Sequence, residues 1–330
     1  MDNYIPPYEI SNKMLDYVAN IMEKIGKIDN YTHLNRMPIL RRNNRINSIH
    51  SSLAIEANSL TINQVKDVIN GKLVMGPQKE IQEVKNAYEA YEKINEINPY
   101  AISDLKRIHG IMTFLTIDES GEFRKGNEGV FNGDVCIFMA PKPEFVNSLM
   151  NQLFEWMKSE KDNIHPLILS SIFHYEFVFI HPFSDGNGRM ARLWQNVLLC
   201  KWKKIFEYVP VESQIKKYQT EYYSVINNCN KNGNSNEFIE FMLRMIDEVL
   251  EELVMAIDKE VFHISIYVSR LLEIMDYNIP ISANEIMDRL GIKSKETLRN
   301  NYLDPAFENG LIKMTLPDKP TSKNQMYYKI

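Results

Sequence analysis

His181-Pro-Phe-Ser-Asp185-Gly-Asn187-Gly-Arg189-Met-Ala-Arg192 gathers a proton acceptor, a carboxylate, a Gly-Asn-Gly turn and two arginines in one stretch. That inventory can hold a metal-bound polyphosphate against an incoming hydroxyl. The glycines flanking Asn187 let the backbone turn its N–H groups toward one point, an anion nest. Beyond the turn, Met190, Leu193, Trp194, Val197 and Leu198 recur at helical spacing, so the turn is expected at a helix N-terminus. Free N–H groups and the helix dipole favour phosphate there. His181 titrates in the right range for a general base acting on a hydroxyl. Asp185 is a hard oxygen ligand, suited to Mg²⁺ shared with phosphate oxygens and water. Asn187 and the amides around Gly186 and Gly188 are expected on the α- and β-phosphates, with Arg189 and Arg192 neutralising the rest of a triphosphate. Phe183 reads as the apolar anchor that seats the loop, and His174 and His109 as satisfied core histidines.

Outward from this stretch, helical periodicity dominates: Met14 to Ile25, Val84 to Ile94, Phe145 to Trp156 and Phe238 to Met255. The exception is Gly129 to Phe138, where Asn132-Gly133 between short apolar runs predicts a hairpin. Near Asp276 the texture changes again. Ser282 to Gly291 and Ser294 to Leu303 read as two capped helices, and the runs starting at Gly310 and Gln325 as two strands around Pro317 to Pro320. Helix, tight turn, helix and hairpin predict a winged helix-turn-helix. The expected fold is mainly α, with a helical N-terminal region (1–98), a core (99–250) and a linker helix with the winged helix (251–330).

Composition bounds the function. The 330 residues are 44% hydrophobic and 25% charged with net charge −5, which gives no global attraction to nucleic acid or anionic membrane. No apolar run approaches the roughly 18 residues that span a bilayer. The opening Met-Asp-Asn-Tyr-Ile-Pro-Pro lacks the layout of an export signal. Cys136, Cys200 and Cys229 are scattered and odd in number, so a reduced, cytoplasmic chain is expected. Neither GxxxxGK[ST] nor GxGxxG occurs, which excludes a P-loop or dinucleotide fold.

The stretch 181–192 resembles the signature of the Fic family, HxFx[DE]GNGRxxR, at every fixed position. Tyr4-Ile-Pro-Pro-Tyr-Glu-Ile is similar to the opening of many bacterial members. Ser51 to Thr61 is similar to the family's inhibitory motif [ST]xxxE[GN]; Ser52 and Glu56 lie four apart, on one face of a helix over about 45–58. The resemblance implies a protein adenylyltransferase that moves AMP from ATP, with Mg²⁺, onto a Tyr, Thr or Ser hydroxyl of a target protein or of itself. It implies that Glu56 pairs with Arg192, withholding that cation from the γ-phosphate. Ala57 departs from the Gly or Asn usual in the motif. The resemblance also implies that Val135, Cys136, Ile137 and Phe138 form a flap that docks the target by strand addition. Tyr223 and Asn230 would belong to the adenine pocket.

Rival readings remain open. Gly186, Gly188 and Arg189 argue against the phosphotransferase branch of the family. Removal of AMP from the same target, with Glu56 positioning a water, would use the same residues, and another diphosphate donor is open too. From a different class, a DNA-binding regulator would use Lys293, Lys295 and Arg299, although eight Lys/Arg against seven Asp/Glu over 276–330 leave only +1. A protein-docking or homodimer-supporting wing is the alternative, and no membrane partner is expected.

Overall fold

The computed structural model describes residues 4–30, 38–132, 135–261, 265–276, 279–309, 311–320 and 322–329. Its chain order is α1 (Asn12–Asn30), α2 (Pro38–Ile55), α3 (Ile62–Ile69), α4 (Gln78–Glu92), α5 (Ile102–Met112), β1 (Gly129–Asn132) and β2 (Val135–Met139). There follow α6 (Pro143–Glu160), α7 (Pro166–Ile180), α8 (Asn187–Trp202), α9 (Val211–Lys217), α10 (Gln219–Asn232) and α11 (Asn236–Val261). The fold is mainly α, as the periodicity predicts, and among the described residues no helix is long and apolar enough to cross a membrane.

Two compact units emerge, one of residues 1–25 and 44–251, the other of 26–43 and 252–330. Position 98, an expected boundary, does not separate units: residues on both sides of it pack together. Tyr91 Oη donates to Glu212 at 2.6 Å, and Ser48 Oγ to the same carboxylate at 2.8 Å. Long-range ties of this kind are invisible to a composition scan.

In the first unit, α7 and α8 form the central pair. α7 starts with Pro166 at its first turn and is apolar almost all round, so it is buried almost all round. Its Phe173 and Phe177 pack with Phe154 of α6 and Trp194 of α8 as an aromatic core. β1 and β2 pair antiparallel, Gly129 opposite Met139 and Val130 opposite Phe138, with a register shift after Val130. The predicted turn at Asn132-Gly133 extends beyond the described residues at Gly133, as do the side chains of Val135, Cys136 and Ile137.

The second unit holds α12 (Ile266–Glu273), β3 (Ile281–Ser282), α13 (Ala283–Leu290), α14 (Lys295–Thr297), a π-helical stretch (Leu298–Leu303), α15 (Asp304–Glu308), β4 (Ile312–Met314) and β5 (Met326–Lys329). Ser282 and Ser294 cap α13 and α14 by accepting from the N–H of Glu285 and Thr297, and Gly291 ends α13 in the left-handed region. The strands run in the order β3-β5-β4. Leu271, Ile286, Leu298, Ala306 and Leu311 form its core. Gly310, expected to open a strand, lies outside the described residues.

Candidate active site

The loop between α7 and α8 is held by its own residues. Gly186 caps α8 at φ +83°, and a Cβ there would come within 3.1 Å of Thr113 Cγ2, so glycine is required both for conformation and for space. Asn187 is buried, and its amide closes the loop: Oδ1 accepts from the Phe183 N–H at 2.9 Å and Nδ2 donates to the Phe183 carbonyl at 2.8 Å. Both polar atoms of this side chain are spent within the loop. The main-chain N–H groups of Asn187, Gly188 and Arg189 remain as the orphan donors of a helix start. Phe183 is fully buried and stacks on the His109 ring with centroids 3.6 Å apart.

His109 is more than a bystander in the core. Its Nε2 lies 3.0 Å from the Asp185 carbonyl, and its Nδ1 accepts from the Gly121 N–H at 2.9 Å. That pairing makes Nε2 the protonated nitrogen. Burial pushes its pKa down to about 4, so the ring is neutral when it holds the loop. His174 is likewise a satisfied core residue, between Gln195 and Tyr222, and burial takes it down to about 3.

The two arginines are spent differently. Arg189 turns back on Asp185 (Nη2 to Oδ1 3.0 Å) and pairs with Glu83 on α4 at 3.5 Å. Here it orients the loop carboxylate. Asp185 Oδ1 also accepts from the Gly186 N–H at 2.6 Å, whereas Oδ2 has only Lys79 Nζ at 4.0 Å. Arg192 is buried and reaches α2: Nε donates to Ser52 Oγ (3.1 Å), and Nη2 to the Ser52 carbonyl (2.9 Å) and Glu56 Oε1 (2.8 Å). Its Nη1 has no hydrogen-bond acceptor.

Glu56 follows directly on α2. The Asn58 N–H donates to the Leu53 carbonyl and the Ala57 N–H to the Ala54 carbonyl, while Ala57 sits at φ +66°. These are the paired bonds of a Schellman cap, whose left-handed residue is normally Gly or Asn. The motif's last position is thus a helix-ending position, and alanine there is strained by about 1 kcal/mol. Side chains of the core also reach the last carbonyls of α2: Lys216 Nζ donates to Ala54, and Gln219 and Tyr223 both donate to Ile55. A Cβ at Gly188 would overlap Glu56 Oε1, so only glycine lets the carboxylate come this close.

His181 ends α7 in the left-handed region at φ +52°, with Nδ1 3.3 Å from the Val178 carbonyl. Nδ1 therefore donates and Nε2 is left as the proton acceptor. Burial, first, and then Arg124 lower its pKa from the ordinary histidine value, against Glu128 and Glu56, which raise it. A cleft of about 670 Å³ joins His181, Gly188, Arg192 and Glu56 to Phe138 on β2 and to one face of α10. Thr220, Tyr223, Asn227 and Asn230 recur on that face at helical spacing. Tyr223 is half-exposed over the cleft, and Asn230 Oδ1 accepts from Tyr175 Oη at 2.9 Å. Arg124, Glu83, Lys79 and Asn227 are absent from the sequence reading. A surface and a buried Arg or Glu look alike in one sequence, and only the i, i+4 step from Lys79 to Glu83 hinted at a shared face.

The Fic/DOC family description matches residues 99–199, and that of the Fic-like C-terminal domain matches 267–329. Two curated relatives carry the name protein adenylyltransferase Fic. That of Nematostella vectensis is 28% identical over 257 residues, 74% of this chain and 56% of its own. That of Aedes aegypti is 29% identical over 215 residues, 62% of this chain and 41% of its own. The chain thus spans about half the length of these curated relatives. Fic-1 of C. elegans shares the fold, with TM-score 0.61 at 21% identity over 74% of each chain. A crystal structure of a Fic family protein from Desulfovibrio desulfuricans G20 matches 99% of this chain and 98% of its own at 41% identity, with TM-score 0.75. With a match of that extent and identity over the whole chain, and the full loop pattern at 181–192, the protein belongs to the Fic family.

Proposed function

We propose that this chain transfers AMP from ATP to a protein hydroxyl. The observation that carries the reading is the shared cleft: His181, the start of α8 at Gly188, and Arg192 all border it. A target hydroxyl oxygen attacks the α-phosphorus as the bond to the β-phosphate oxygen breaks. Pyrophosphate leaves, and the hydroxyl proton passes to His181 Nε2. The α8 N–H groups stabilise the charge on the phosphates. The names of the curated relatives, protein adenylyltransferase Fic, support the reading.

Mg²⁺ fits the donor set. Among the described residues no cluster of three His, Cys, Asp or Glu could cage a metal, and Asp185 Oδ2 is the loop oxygen without a hydrogen-bond donor closer than 4.0 Å. One carboxylate plus phosphate oxygens and water is the habitual Mg²⁺ arrangement. The ion would neutralise charge on the leaving pyrophosphate, and Arg189 would keep Asp185 aimed.

Glu56 would restrain this activity, because its ion pair holds the Arg192 Nη2 that a γ-phosphate needs. Its carboxylate also borders the cleft, which favours a second reading in which it activates water to remove AMP. Incubation with α-labelled and γ-labelled ATP separates the possibilities. Protein labelling by the α-label alone is expected, and γ-label transfer would defeat the nucleotidyl reading. Loss of preloaded label, in place of gain, would establish removal.

For the C-terminal unit, the reading as a winged helix with a nucleic-acid surface draws support from one groove. Lys295, Arg299 and Lys323 line it together, against Asp304 alone. Binding of fluorescent duplex DNA with a steep salt dependence would establish it, and none at low salt would remove it.

A further inference from the structure

We infer that Arg124 is a positioning residue that locks the proton acceptor His181 to the base of the β1–β2 hairpin. The inference rests on the transferase reading, in which His181 takes the proton and the hairpin docks the target.

Arg124 is 3% exposed, yet its hydrogen bonds go to main-chain carbonyls and not to a carboxylate. Its Nε donates to the His181 carbonyl at 2.7 Å and its Nη1 to Gly126 at 2.7 Å. Its Nη2 donates to Pro141 and, at 3.5 Å, to Ile180, and its own N–H donates to Pro182 at 2.9 Å. Three chain segments therefore meet on one guanidinium. Gly126 precedes β1 and Pro141 follows β2, so both stems of the hairpin are held. Ile180 and His181 are the end of α7, where unpaired carbonyls and the negative dipole end favour a cation. The Ala140 N–H bond to Glu128 (3.0 Å) closes the hairpin just above.

This arrangement answers two mechanical questions. His181 holds a left-handed conformation that costs a non-glycine residue about 1–2 kcal/mol and persists only where its surroundings over-determine it. Bonds to the carbonyls on both sides of His181 Cα, at Ile180 and His181, supply that constraint. On the hairpin, in turn, Phe138 borders the cleft. Tying its stems to the His181 backbone sets the distance between docked hydroxyl and proton acceptor. Arg124 itself does not border the cleft, so it is not a phosphate ligand. Its charge faces the imidazole together with Glu128 and Glu56, which gives a second handle.

The test uses the full chain carrying Glu56→Gly, with Arg124→Lys and Arg124→Gln added singly. The readouts are self-labelling from α-labelled ATP, binding of a non-hydrolysable ATP analogue, and ring titration of His181 by NMR. Analogue affinity should stay within about threefold, since no cleft contact is lost. Labelling kcat should fall about tenfold or more in both variants, as expected when a reacting pair is misplaced by a fraction of an ångström. The acid limb of the rate profile and the His181 titration should move to higher pH in Arg124→Gln and stay in place in Arg124→Lys, which keeps the charge but not the fork. A purely structural role would not split the two variants in this way. Unchanged kcat in Arg124→Lys, or an unmoved titration in Arg124→Gln, overturns the inference. So does loss of fold in both, which would make Arg124 a folding residue. A parent chain that fails to self-label sinks the transferase reading instead, while the titration still reads Arg124.

Discussion

Two helix ends meet at Gly188, and they are held in opposite ways. The start of α8 is over-determined by local bonds: Asn187 to Phe183, Asp185 to Arg189 and Gly186, His109 stacked behind. Its one left-handed residue is a glycine, which adopts φ +83° without strain. The end of α2 is held from outside, by Arg192, Lys216, Gln219 and Tyr223, and its left-handed residue is the strained Ala57. The first end is positive and preorganised for an anion; the second is negative and brings a carboxylate to the same spot. If Glu56 restrains transfer, as proposed, the first end is the permanent one and the second the removable one.

The largest effect should come from the permanent end. His181→Ala removes the proton acceptor without touching a phosphate donor, so transfer should drop by about 10²–10⁴-fold. ATP binding should persist, and an assay that finds labelling intact would take His181 out of the chemistry. Next comes the removable end. Releasing Arg192 by Glu56→Gly breaks one charge-assisted bond, about 1.5–3 kcal/mol, and should raise self-labelling about 10- to 100-fold. Adding Arg192→Ala should cancel the gain. Unchanged or lower labelling in the single variant would erase the contrast and favour a water-activating Glu56.

The loop's support should also titrate. His109 and His174 have folded-state values depressed by burial to about 4 and about 3. Their contribution to stability is present above the ordinary value of 6.5 and lost as pH falls toward 4. The thermal midpoint should therefore decline over that window, and His109→Gln should flatten part of the slope. A pH-independent midpoint there would mean that neither ring is held neutral. The smallest effect belongs to the strained cap. Ala57→Gly relieves about 1 kcal/mol in the capped, Glu56-paired state. Basal labelling should fall about two- to fivefold, opposite in sign to Glu56→Gly; a rise would mean that the cap does not govern release.

The loop was legible because its closing bonds, Asn187 to Phe183 and Asp185 to Gly186 and Arg189, span four residues or fewer and its helix announces itself by periodicity. Asp185, the Gly186 turn and the buried Phe183 all follow from adjacency. The same local view did not show that Asn187 closes the loop or that Arg189 turns back on Asp185, since a polar side chain beside an anion nest reads as a ligand whether it faces outward or closes the loop. Glu56 and Arg192 are separated by 136 positions, and only the resemblance linked them. The Ala57 departure was visible as a letter, while its meaning needed the φ angle.

By itself, then, the sequence determined the helical class, the glycine turn at the start of α8 with the candidate residues around it, and the hairpin, because propensity, turn chemistry and short-range hydrogen bonds are written in neighbouring residues. The tertiary structure decided which arginine faces the α2 end and which holds Asp185, and that Arg124 binds carbonyls in place of a carboxylate. Charge partners and burial depend on what packing brings within a few ångströms, and that is a property of the folded whole.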